Sequence, residues 1–271
     1  MKKRRILYVS SEVTPYLPEN QISTMSLEAP KKMNELNNEV RIFMPRYGAI
    51  NERRHQLHEV IRLSGMNLVV NDMDQPLIIK VASIPKERLQ VYFIDNEEYF
   101  KRKAIVADEK GKLFEDNDER AIFFAKGVLE TVKKLNWSPD VIHVSGWMAS
   151  LLPMYVKTIY SDDPTFADSK IVTSAFNYGF SAELNSKLID KIKFDGISDD
   201  RLNLIETPSL DNLTKLAMSF SDGIVRAGDV LSEDINDFME KSDLPVLPFH
   251  DVDVFAEPYN NFYHNEVLEE N

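Results

Sequence analysis

Short apolar runs rich in β-branched residues alternate along the chain with longer stretches whose apolar positions recur at helical spacing, the pattern of βα units on a mostly parallel sheet. The spacing predicts strands at Arg5–Ser10, Val40–Met44, Val141–Val144, Ile171–Thr173 and Gly223–Val225. Helices are predicted at Ile22–Leu36, Asp116–Leu135, Met148–Ile159, Leu210–Phe220 and Val230–Met239. In Asp116–Leu135, residues Ile122, Ala125, Val128, Leu129, Val132 and Leu135 fall on one face, as an amphipathic helix requires. Apolar and polar positions alternate through Val60–Val70, Leu77–Ile84 and Leu89–Ile94, which predicts hairpin strands inserted into the sheet. The fold class that follows is α/β: a Rossmann-like, doubly wound, mostly parallel sheet with inserted β-hairpin strands.

Charge divides this pattern into a body and a tail. The formal charge of the 271 residues is −12, yet residues 229–271 hold 12 acids and the single base Lys241, so the body is close to neutral. An acidic chain argues against nucleic acid and anionic membrane as partners. The same tail carries Phe249, Phe255, Tyr259, Phe262 and Tyr263 with Pro245, Pro248 and Pro258, more apolar area than a solvated acidic stretch needs. Residues 1–244 therefore read as one domain and 245–271 as an acidic aromatic tail that docks on the body or on a partner, with a frayed terminus as the alternative.

The 43% hydrophobic composition suffices for an ordinary core. Absence of Cys removes disulfides, thiolate metal sites and Cys nucleophiles, and fits a reducing cytoplasm. The apolar run after Lys2–Arg5 is too short for a signal peptide, and no segment approaches a membrane span. Among five His, only His55 and His58 lie near one another, in a charged stretch without further ligands, so a surface hairpin is favoured over a metal site. His143, inside an apolar strand, reads as a hydrogen-bonded core residue. No G-x-G-x-x-G, Walker loop, G-x-S-x-G or H-E-x-x-H occurs, and Gly numbers only nine. Neither a cofactor nor a metal is expected.

Several blocks resemble the N-terminal domain of bacterial glycogen synthases and plant starch synthases. They are Ile6-Leu7-Tyr8-Val9-Ser10-Ser11-Glu12-Val13-Thr14-Pro15-Tyr16, Glu39-Val40-Arg41-Ile42-Phe43-Met44-Pro45-Arg46-Tyr47-Gly48, Asp116-Asn117-Asp118-Glu119-Arg120 with Phe123, Pro139-Asp140-Val141-Ile142-His143 with Trp147, and Ser221-Asp222-Gly223-Ile224-Val225, in the family's order. The resemblance implies one half of a two-domain GT-B glycosyltransferase, whose whole form moves glucose from a nucleotide sugar to an α-1,4-glucan with retention. The donor-binding C-terminal domain has no room in this length, so a single GT-B-type N-terminal domain is expected.

The resemblance fails where the family's chemistry lies. Its K-T-G-G-L is replaced by Pro18-Glu19-Asn20-Gln21-Ile22: a Lys charge and an N–H are lost at Pro18, Glu19 repels phosphate, and Asn20 and Gln21 carry Cβ atoms where Gly let the backbone approach a ligand. Its H-D-W-H reads Ser145-Gly146-Trp147-Met148, and its T-I-H-N reads Thr173-Ser174-Ala175-Phe176. Met148 can neither donate nor accept a strong hydrogen bond. No catalytic residue is therefore expected. Glu12, Tyr16, Tyr47, Asp116, Asn117, Arg120, Trp147 and Tyr178 are the candidate ligand-facing residues, with the four aromatics as exposed platforms for sugar faces. Packing competes as a role for Trp147, and N-capping of the long helix competes for Asp116 and Asn117. A catalytically silent module is expected that binds an α-glucan, a protein partner or a second copy through the uncovered cleft face; half of a split synthase is the alternative. In the family a C-terminal helix crosses back over this domain, so by analogy the tail could cover that face.

Overall fold

Burial of the first apolar run sets the architecture. The computed structural model describes residues 3–269. Its first strand, β1 (Arg5–Ser10), is buried on both sides from Ile6 onward, and a parallel strand lies along each edge of it. Helix α1 (Gln21–Glu35) leads into β2 (Glu39–Pro45). Pro30 lies inside α1 and denies the Ser26 carbonyl its helical donor. Next come the short α2 (Glu52–His55) and β3 (His58–Glu59), then β4 (Met66–Val70), β5 (Met73–Ser83) and β6 (Gln90–Asp95). Helix α3 (Glu97–Phe100) and the long α4 (Asn117–Lys134) precede β7 (Val141–Ser145), α5 (Leu152–Lys157) and β8 (Lys170–Ala175). The order closes with α6 (Leu188–Phe194), α7 (Leu210–Ser219), β9 (Gly223–Arg226), α8 (Glu233–Glu240), β10 (Val246–Leu247) and α9 (Ala256–Asn261). A π-helical turn at Phe262–Val267 prolongs α9.

Nine strands follow the spatial order β10-β9-β8-β7-β1-β2-β6-β5-β3, with β4 paired to β5. Pairing is parallel from β10 to β6 and antiparallel where β5 meets β6, β3 and β4. Tyr8 sits opposite Ile42 on one side and His143 on the other. Connections leave β1 in one direction toward β2, while β7 lies on its other side, so the topological switch point is between β1 and β7. Ligand sites of open α/β sheets lie at the carboxyl end of such a point.

Three predicted elements differ from the structure. The alternation through Val60–Val70 is not one strand: Leu63 and Ser64 donate their N–H groups to the Val60 carbonyl, and Gly65 follows at φ +85° before β4 begins. That turn buries Leu63 and leaves Ile61 in solvent. The hairpin β4–β5 turns on Asn71 and Asp72, both at positive φ, the conformation that a two-residue turn of right-handed twist demands. Met148–Ile159 divides into a 3-10 turn at Trp147–Ala149 and α5, whose second residue is Pro153, a helix-starting position for proline. The helix expected from Val230 begins at Glu233, because the Ser232 hydroxyl caps the Ile235 N–H and Val230 stays in solvent.

Helix α1 and the 256–267 segment share one face of the sheet, and α4, α5 and α7 pack together on the other. Phe255, Tyr259, Phe262, Tyr263 and Val267 are all buried. Gly223 leaves room for this segment, since a Cβ there would lie 2.9 Å from Val267 and 3.0 Å from the Phe262 ring. A polar cluster lies beneath it: the Tyr263 hydroxyl is 3.0 Å from that of Tyr8 and 2.5 Å from His143 Nδ1, while His143 Nε2 is 2.6 Å from the Ser174 hydroxyl. Full burial pulls the His143 pKa down to about 3, so the ring stays neutral. His143 is the hydrogen-bonded core residue that its place in an apolar strand implies.

Candidate functional site

At the carboxyl edge of the sheet, the segments after β1 and β7 are tied to each other. Ser11 donates its N–H to the Ser145 carbonyl at 3.0 Å, and its hydroxyl accepts the Met148 N–H at 2.9 Å. Gly146 is at φ +81°, and a Cβ on it would lie 2.5 Å from the Ser11 hydroxyl, so glycine is required there on both counts. Ala175, at the end of β8, is buried, and its carbonyl accepts the N–H groups of Ala227 and Gly228, each at 3.0 Å.

The amino end of α1 is closed by its own residues. Asn20 Oδ1 accepts the Ser23 N–H at 2.9 Å, and the Ser23 hydroxyl accepts the Asn20 N–H at 2.9 Å and donates to the Pro18 carbonyl at 2.9 Å. This reciprocal cap satisfies donors that an open helix start would offer to an anion. Asn20 Nδ2 also donates to buried Glu12 at 2.7 Å. Burial raises the Glu12 pKa and the Asn20 hydrogen bond partly offsets it. Gln21 turns outward, 3.4 Å from Asp229 Oδ1.

Three of the four aromatics expected as exposed platforms are core residues. Tyr16 is buried edge-on against His55 and Phe93, with ring centroids 5.0 Å and 4.9 Å away. Tyr47 is fully buried against Phe100 and beneath the Arg120 guanidinium. Trp147 packs edge-on against Phe180 at 5.6 Å. In each case the loop folds back onto the sheet, so the ring gains more from burial than a solvent-facing pose would give. Only Tyr178, 41% exposed, could present a face to a sugar.

Asp116, Asn117 and Arg120 form a second centre with a structural task. Asp116 makes no cap hydrogen bond for α4; both its oxygens are taken by Arg102 at 2.8 Å and 2.6 Å. Arg120 is completely buried and donates to the carbonyls of Tyr99 and Ile105 and to Asn117 Oδ1, at 2.8, 2.7 and 2.6 Å. Asn117 Nδ2 donates to the Val106 carbonyl at 2.8 Å. These groups hold the long connection before α4 and face no cleft. Burial lowers the Arg120 pKa to about 10, which leaves it charged at neutral pH.

The pocket at the switch point, between Ile22, Gly146, Trp147, Thr173, Phe176 and Tyr178, encloses about 20 Å³. That is room for about one water and none for a hexose. A wider hollow of about 360 Å³ opens beside the start of α1, lined by Gln21, Thr24, Asp229, Phe249, His250 and Val252 among others. Sequence reasoning missed this hollow, because it forms where residues 249–252 of the tail cross the edge of the sheet. Five segments at this edge, 11–20, 146–150, 176–182, 227–230 and 248–254, carry Glu12, Glu19, Asp229, Asp251 and Asp253 and no Lys or Arg.

Comparisons with known proteins agree with this geometry. The family model described as the starch synthase catalytic domain matches residues 5–242. A glycogen synthase of Chlorobium limicola is 36% identical over 233 residues, which cover 83% of this chain and 48% of the relative. For a glycogen synthase of Chlorobaculum parvum the identity is 36% over 210 residues, covering 75% and 43%. Among solved structures, the catalytic domain of starch synthase IV from Arabidopsis thaliana, bound to ADP and acarbose, superposes with a TM-score of 0.68 at 16% identity, covering 83% of this chain and 45% of that one. At that identity it shows the fold alone.

Proposed function

Since the chain belongs to the starch synthase catalytic domain family and spans about half the length of the curated relatives it matches, we propose that it is a catalytically silent module that keeps the acceptor-side scaffold and works by binding another protein. The observation that carries this reading is that five loop segments of this edge hold five carboxylates and no Lys or Arg, while Arg46 after β2 and Arg226 at the end of β9 are held by Asp95 and Asn236. A nucleotide diphosphate brought there meets like charge and a helix start already capped by Asn20 and Ser23. Val230, Phe249, Val252 and Val254 are exposed on the same edge. Apolar side chains framed by acids fit a protein surface with an apolar centre and a Lys- or Arg-bearing rim.

The test titrates the purified chain with ADP-glucose by calorimetry and assays glucose incorporation into glycogen, alone and mixed with the separately expressed C-terminal half of the Chlorobium limicola relative. No binding and no incorporation are expected. A Kd below about 1 mM, or activity restored by the added half, would overturn the proposal, and the second outcome would favour half of a split synthase. Exposed Tyr178 supports a second reading, contact with an α-glucan. It is tested by affinity electrophoresis in glycogen gels, where retardation lost in Tyr178→Ala would establish it and equal mobility in all gels would remove it.

A further inference from the structure

At the opposite edge, where β2 and β6 begin, strand alternation puts Glu39, Arg41 and Phe43 on one face of β2. Arg41 thus follows Glu39 and precedes the apolar Phe43 in that row. Its guanidinium lies 4.8 Å from the Trp137 ring centroid and 5.9 Å from that of Tyr92, which fixes the plane of the fork. Its Nη1 is buried by the protein and has no hydrogen-bond partner, a costly state for a charged donor, so the rest of the guanidinium is what Arg41 offers to a ligand. Glu39 does not supply one: its Oε1 accepts the Trp137 indole N–H at 2.7 Å, and its Oε2 lies 3.8 Å from Arg5.

A depression of about 320 Å³ opens here, lined by Arg41, Arg88, Ser83, Gln90, Tyr92 and Glu39 among others. Arg88 is exposed on the turn between β5 and β6. Among the described residues neither guanidinium makes an ion pair, and neighbouring Glu87 is held by Lys31 at 3.1 Å. The wall's one carboxylate, Glu39, is engaged by Trp137 and lies beside Arg5, so Arg41 and Arg88 have no ion-pair partner there and repel each other unless an anion stands between them.

We propose that this pocket binds a phosphate group, with Arg41 as the preorganised fork, Arg88 as the second cation, and the Ser83 hydroxyl and Gln90 amide as further donors. A planar fork beside an exposed cation suits a tetrahedral oxyanion, whose oxygens can engage both guanidinium groups. The ligand is free phosphate or a phosphate monoester, which share that group.

The test uses the whole chain carrying Trp147→Phe, so that Trp137, beside Arg41, is the one fluorophore of its kind. Inorganic phosphate and methyl phosphate are titrated against sodium chloride of equal ionic strength. A saturable change in Trp137 emission is expected, weakened about tenfold by Arg88→Gln, an exposed position at which loss of one charge-assisted contact does not threaten folding. Arg41→Gln should abolish it, with circular dichroism confirming that the variant is folded. Equal affinities would identify free phosphate as sufficient, and tighter binding of the ester would point to a larger ligand. No response beyond chloride from either anion, or a response that Arg88→Gln leaves unchanged, would overturn the proposal.

Discussion

Arg120 and Glu12 are both buried charges in blocks that match the family, yet their surroundings differ in kind. Around Arg120 the match continues through Asp116 and Asn117, and each of these side chains is engaged by the molecule's own backbone or by Arg102. Beyond Glu12 the motif resemblance breaks off before Pro18, and Asn20 and Ser23 cap the chain's own helix. The contrast separates two duties. A side chain bonded to buried carbonyls is held in place by folding, because its loss strands those acceptors. One that reached only toward a ligand can be exchanged at the cost of binding alone.

Replacing Arg120 with Met should have the largest effect: about 3–5 kcal/mol of stability by urea denaturation, because the Tyr99 and Ile105 carbonyls lose their donor. A loss below about 1 kcal/mol would break the comparison. The cluster under α9 tests whether the rule extends to a third buried centre. Tyr263→Phe removes the hydroxyl shared by Tyr8 and His143, and a loss of about 1–3 kcal/mol is expected in the same assay.

At the carboxyl edge the effects should be smaller. Asn20→Ala deletes the helix cap and should cost about 1 kcal/mol, with no change in the response to ADP-glucose. The smallest effect is one of pH. Burial raises the folded-state pKa of Glu12 above its ordinary value, so the folded state binds this proton more readily than the unfolded chain does. The resulting contribution is fully present below the ordinary carboxylate pKa and is lost as pH rises through the raised one. Glu12→Gln should therefore match the parent in acid and gain on it as pH climbs from about 4.5 toward neutrality, measured as the urea midpoint. A gap that is constant with pH would assign the effect to packing instead.

The parallel strands β1, β2, β7, β8 and β9 are legible because each is a short apolar run set between helical periods; β6, read as a hairpin strand, also pairs parallel with β2, and β10 lies in residues read as tail. The β4–β5 hairpin leaves a weaker trace, Asn71-Asp72 between two alternating runs, a turn signal that the alternation of Val60–Val70 masks. Loop aromatics were the hardest to place. Tyr16, Tyr47 and Trp147 follow strands in polar surroundings, and whether such a ring turns inward depends on Phe93, Phe100 and Phe180, residues brought near by the fold and not by local pattern. The Arg120 centre was misjudged for a related reason: its acceptors are main-chain carbonyls, which have no sequence signature. Arg41 did leave one, a lone cation inside the apolar strand β2.

The docking of α9 and its π-helical turn carries a consequence for biogenesis. Tyr8 meets Tyr263 across 255 positions of chain, and the surface that the later segment covers is complete once β9 has been made. During synthesis from the amino end, that surface of Tyr8, His143 and Gly223 stands bare until residues 255–267 emerge. A nascent chain paused between β9 and α9 therefore leaves the Tyr8 and His143 cluster without its cover, and slow translation across that interval should lower the yield of folded protein.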